Sequence, residues 1–177
     1  MAALVGVVAF YLIQSGDNGL HEPDMDGVEA GEGLKLKDIH YTHDDADEGM
    51  KWILDAEEVS FSSDRNSMVF RDFKLRVEPE SEQWVEMKGN RGEYSRDSGD
   101  IKLWGDLVGR SQGGYRFSTE RLHINEKTRQ ARTDDVVEIT GPLFSVRGKG
   151  LFADLNEERV EILSDVTSTL KQEAWEQ

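Results

Sequence analysis

His40 and His43 stand three positions apart and are followed by Asp44 and Asp45. On a helix that spacing brings two imidazoles to one face, where they can ligate a transition metal. The surrounding sequence does not support a helix. His40 to Asp47 is polar and reads as a connection between strands, and neither His21 nor His123 is placed to add a third ligand. Gly148-Lys149-Gly150 has glycines suited to cradling a phosphate, but it lies inside an alternating strand pattern. Glycine there marks a bulge or a close approach of two backbones. No G-x-S-x-G, H-E-x-x-H, Walker loop or strand-linked G-x-G-x-x-G occurs. The carboxylate pairs fall mainly in turns, where solvated acids are the rule. With no cysteine, thiol catalysis, Cys-ligated zinc and disulfides are excluded. The expectation is a chain without catalytic residues, metal or cofactor.

The elements that would have to position a site are strands. Met87-Lys88-Gly89-Asn90-Arg91, Phe117-Ser118-Thr119-Glu120-Arg121 and Val146-Arg147-Gly148-Lys149-Gly150 align as copies, with their first residues 30 and 29 positions apart. Each is followed by a second apolar pair (Gly92/Tyr94, Leu122/Ile124, Leu151/Ala153), a polar turn and another alternating strand (Ile101/Leu103, Ala131/Thr133, Val160/Ile162). An acidic residue before an apolar one closes each unit: Asp106-Leu107, Asp135-Val136, Asp165-Val166. A looser copy begins at Trp52. Repeats of this length are stacked supersecondary units with a shared core, and the inner period of two makes them β-strands. Further strands are expected at Leu34-Lys35-Leu36, Trp52–Ala56, Val59–Phe61, Met68–Phe70 and Phe73–Val77, the last stopped by Pro79. Gly113-Gly114 and Gly141-Pro142 mark hairpins, and no amphipathic helix is expected between Leu34 and Val166.

Only 37% of the 177 residues are hydrophobic, which suits a thin sandwich or rolled sheet of alternating strands better than a thick core. The net charge of -15 argues against nucleic acid as a partner. Charge is uneven: Lys88–Arg132 holds 10 Lys+Arg against 6 Asp+Glu, a local +4 that leaves -19 on the remainder. Solvated outer strand faces account for this, and so does a basic rim for an anionic head group.

Ala2–Ile13 is 12 residues without charge. A membrane-spanning helix needs about 20, and no Lys or Arg precedes the run. A buried core segment and a signal peptide remain open. The favoured reading is a membrane anchor whose basic end is absent or lies before residue 1. Gly16–Gly33, rich in Gly, Asp and Glu, reads as a linker.

Two segments resemble a known family. Met50-Lys51-Trp52-Ile53-Leu54-Asp55-Ala56 is similar to the opening of LptC, the bitopic component of lipopolysaccharide export. Val137-Glu138-Ile139-Thr140-Gly141, then Val146 through Asp154, then Val160 and Val166, resemble the repeat shared by the LptC, LptA and OstA proteins. The resemblance covers about residues 34–170 and extends to the apolar N-terminus. It implies an all-β, rolled antiparallel jellyroll shaped like a twisted boat, with an apolar groove and an N-terminal membrane-anchor helix. The domains it implies are an anchor at 1–15, a linker at 16–33, a periplasmic jellyroll at 34–170 and a tail at 171–177. The implied function is non-enzymatic transfer of lipopolysaccharide from the LptB–LptF–LptG transporter of the inner membrane to an LptA-like periplasmic bridge. A bridge or docking scaffold without the anchoring role is the alternative. A surface carbohydrate enzyme on a β-solenoid is a third, weaker one.

Strand alternation selects the residues for such a groove. Leu54, Phe61, Phe70, Phe117, Ile124, Ile139 and Val146 are expected to contact lipid. Leu34 and Leu36 at the first strand, and Gly148, Gly150, Val160 and Ile162 in the last unit, are expected to meet partner proteins at the sheet edges.

Overall fold

The computed structural model describes residues 34–45, 50–79, 83–154, 156–157 and 159–170. The expected anchor, linker and C-terminal tail lie outside the described residues.

Nine antiparallel strands form one sheet in chain order: β1 (Lys35–Asp45), β2 (Met50–Phe61), β3 (Ser67–Pro79), β4 (Val85–Ser95), β5 (Asp100–Ser111), β6 (Arg116–Asn125), β7 (Gln130–Thr140), β8 (Phe144–Asp154) and β9 (Arg159–Leu170). Each strand pairs with its sequence neighbours, so β1 and β9 are the edges of the sheet. The expected strand pairs at 52–61 and 68–77 are single long strands, β2 and β3. The 40–47 segment differs from expectation as well: β1 runs through His40 to Asp45, because its register against Met50–Ser60 is unbroken there.

The period of about 30 residues is visible in the turns. Alternate hairpin turns lie at one end of the sheet and bond to each other. Asn66 Nδ2 donates to Asp97 Oδ2 at 2.8 Å, the Glu126 amide donates to the Gly99 carbonyl at 2.9 Å, and Asn156 Nδ2 donates to the Thr128 carbonyl at 3.0 Å. At the other end the Gln112 amide donates to the Trp84 carbonyl at 3.0 Å, and the rings of Tyr115 and Phe144 pack at 6.2 Å.

Most strands bend at mid-length, at residues of positive φ or at register shifts. Asp38, Asp72, Asp106 and Asp165 take φ between 47° and 53°, and β7 shifts register between Thr133 and Val136, around Asp134 and Asp135. The acidic positions expected to close each unit thus lie within strands. A short side chain that hydrogen-bonds its own backbone is the non-glycine type best suited to the left-handed conformation. The bend restores the inward face after an odd step. Phe70 and Phe73, on either side of Asp72, are both buried and meet edge to face at 5.0 Å. Simple alternation would have sent one of them outward.

Inward residues of both halves of the sheet form one core, from Ala56 and Val59 on β2 to Leu151 and Ala153 on β8. Glycine makes room for the largest rings: a Cβ on Gly92 would lie 2.0 Å from the Phe70 ring, and one on Gly89 2.3 Å from Leu107 Cδ2.

Candidate functional site

The apolar inner face is the candidate site, and its exposure changes across the sheet. In the middle strands it is filled. Leu107, Phe117, Ile124, Ala131, Val137, Leu151 and Ala153 have no accessible surface. Phe70 is nearly as buried, at 8%. A lipid reaches Phe117 or Ile124 only by displacing these neighbours. Leu54, Phe61 and Ile139 are half-buried against the core, and Val146 is half-buried near the end of the sheet.

Toward the edges the inner face opens. Leu34 just before β1, and Leu36, Ile39 and Tyr41 on it, are half-buried. Leu34 is held by its carbonyl, which accepts a 2.8 Å bond from the Phe61 amide. On β9, Val160 and Ile162 pack on the core. Beyond the Asp165 bend, Val166 is 54% and Leu170 81% exposed. Leu170 pairs with Phe144, and Ser168 with Val146. The last strand therefore carries an uncovered apolar face beside an unpaired backbone edge. Val166 and Leu170 are not among the site residues expected from the sequence. The alternation of Val160 and Ile162 pointed toward them, but the left-handed Asp165 interrupts its period.

Gly148 and Gly150 in the last unit are both buried against β9, with different geometry. A Cβ on Gly148 would lie 2.3 Å from Ile162 Cγ2 and 3.0 Å from the Ser164 carbonyl oxygen. Gly150 has φ +77° and lies under Leu163. The ladder shifts register between Arg147 and Lys149, as a bulge requires.

His40 and His123 are engaged in cross-strand polar contacts. His40 Nδ1 is 2.6 Å from Asp55 Oδ1, and Lys74 Nζ is 3.3 Å from Asp55 Oδ2. The His40 bond, more than any other contact, holds the Asp55 carboxyl below its ordinary range. His123 Nε2 is 2.7 Å from Asp100 Oδ1, and Asn125 Nδ2 donates to the same oxygen at 2.9 Å. The Asn125 bond above all, then those of Ser98 and His123, lower Asp100 to about 2. Arg121 grips Asp135 through two 2.7 Å bonds. These contacts tie neighbouring strands together on the outer face. Among the described residues no group of three His, Cys, Asp or Glu could hold a metal ion.

The family model described as lipopolysaccharide-assembly, LptC-related, matches residues 1–171. The chain belongs to the LptC family. No curated protein matches it. Membership gives the chain a part in lipopolysaccharide transport, in a family that is not one of enzymes. LptC-family proteins are in general anchored in the inner membrane with the main domain in the periplasm. An open all-β antiparallel sheet is consistent with the jellyroll expected of the family. Among the described residues no helix is long and apolar enough to cross a membrane.

Proposed function

We propose that this chain receives lipopolysaccharide from the LptB–LptF–LptG transporter and passes it to an LptA-like periplasmic protein, with acyl chains held on the inner apolar face. The observation that carries the reading is the uncovered apolar strip of β9, where Val166 and Leu170 extend the core to an unpaired edge. Each CH₂ taken from water into such a surface contributes roughly 0.8 kcal/mol, so acyl chains bind well without specific head-group contacts. An edge strand is also a template for a partner's strand. Pairing at β9 would continue the apolar face into the acceptor. The β1 edge, with Leu34 and Leu36, faces the transporter in the same scheme. Ala2–Ile13 would hold the domain at the inner membrane.

One observation favours a docking scaffold that carries no lipid. The middle of the interior is filled, with Phe117 and Ile124 wholly buried. Reconstitution separates the two readings. Proteoliposomes holding the transporter, ATP, lipopolysaccharide and an LptA-like acceptor should deliver lipid to the acceptor only when this chain is present, and lipid should be found on this chain in transit. Delivery without lipid ever residing on this chain would favour the scaffold.

A further inference from the structure

We propose that the outer face of β3–β6 docks onto an anionic phospholipid surface. This does not depend on the lipid-carrying reading, since the residues involved lie on the reverse side of the sheet from Phe70, Leu103 and Phe117.

Three pairs of like charges face one another across adjacent strands. Arg71 stands opposite Arg91 and Lys74 opposite Lys88 on β3 and β4, and Arg110 stands opposite Arg116 on β5 and β6. Directly opposed like charges on one sheet face are destabilising. The chain has 36 acidic residues from which partners could have been drawn. Only two of these six cations approach a carboxylate: Arg71 lies 4.0 Å from Glu58, and Lys74 3.3 Å from Asp55. Lys88, Arg91, Arg110 and Arg116 are exposed and form no ion pair among the described residues, Arg110 standing in register with Glu86 without contact. Trp104 stands in register between Arg91 and Arg121.

The charge and the indole together favour lipid head groups. Phosphates in a bilayer are a fluid array and can match cations spread over several strands without a complementary shape. Tryptophan is enriched at the level of the head groups. The strands β3–β6 hold 9 Lys+Arg against 7 Asp+Glu, a net +2 that leaves -17 on the rest of the chain, so this face is repelled least by an anionic surface. An acidic protein would satisfy the cations too, but it gives the half-buried Trp104 on this face no particular role.

The chain has no cysteine, so Ser118→Cys provides a single labelling point on this face, in register between Val108 and Glu138. The full chain, labelled there with a fluorophore, is mixed with vesicles carrying a head-group quencher. One set is phosphatidylcholine alone and the other includes phosphatidylglycerol. Any tethering by Ala2–Ile13 is common to all forms. Quenching should be several-fold stronger with phosphatidylglycerol and should fall as salt is raised. It should disappear in the Lys88→Glu/Arg91→Glu/Arg110→Glu variant, whose strand content is checked by circular dichroism. Equal quenching on both vesicles would overturn the proposal, as it would if the face serves an acidic protein. Undiminished quenching of the folded triple variant on phosphatidylglycerol would also overturn it.

Discussion

At the scale of single residues, the fold depends on a few positions where the backbone turns or two strands approach closely. Asp72 is one, with φ 47° between two buried phenylalanines. Asp72→Gly should leave stability nearly unchanged. Asp72→Val forces a branched side chain into the left-handed region and should cost about 1–2 kcal/mol, read by urea denaturation. Gly92 is another. Gly92→Ala puts a methyl within the Phe70 ring and should cost about 1–3 kcal/mol through overpacking. Adding Phe70→Leu should recover part of that loss, since the two sites share a contact. Asp100 gives a pH dependence. Its pKa lies at about 2 in the folded chain, below the ordinary 3.8. Its contribution is therefore complete above pH 4 and is lost as pH falls toward 2. Being partly exposed, it should amount to no more than about 1 kcal/mol. Asp100→Asn should flatten the stability curve in that acid window, lowering stability by up to about 1 kcal/mol at pH 7 and changing little near pH 2. Of the left-handed aspartates, Asp106 and Asp165 are visible in the sequence as recurring acids. It misplaced them at the ends of units, because a left-handed residue inside a strand leaves no period of its own.

At the scale of elements, alternation located nearly every strand between Leu34 and Val166, and the repeat correctly implied stacked hairpins. Splitting β2 and β3 had one physical origin. A bend shifts the inward parity from Ala56 to Val59 and from Phe70 to Phe73, and a period-two reading takes the shift for a turn. His40 failed differently. Its polar neighbours suggested a connection, but cross-strand contacts with Asp55 satisfy such a segment as an edge strand. The same edge logic makes β9 the element to test for partner binding. Val166→Glu/Leu170→Glu alters only exposed side chains, so the fold should persist while capture of an LptA-like protein in a pull-down falls at least tenfold. Gly148→Arg should act more severely. Its Cβ alone meets Ile162 and the Ser164 carbonyl, so β9 should detach from β8 while the upstream strands remain ordered. A truncation lacking Val160–Gln177 that stays folded and still binds the partner fully would move the junction away from this edge.

At the scale of the whole molecule, the protein is an open sheet with an apolar inner side, two unpaired edges and an outer side that carries the charge. The class of fold and the family were legible because period and motif are local properties of the sequence. How full the interior is was not legible, since burial depends on how the two halves of the sheet close over each other. The central claim is that lipid occupies the inner side, and photo-crosslinking in cells tests it most directly. Photoreactive residues at Phe70, Phe117 and Ile124 face inward, whereas Arg71, Ser118 and Asn125 beside them do not. Leu54 and Leu170 provide inward positions that are not wholly buried. Lipopolysaccharide should be captured from the inward positions, with Leu54 and Leu170 at least as productive as the buried three, and not from the outward ones. Equal capture from both faces, or none from any inward position in a folded protein that still binds its partners, would contradict the account.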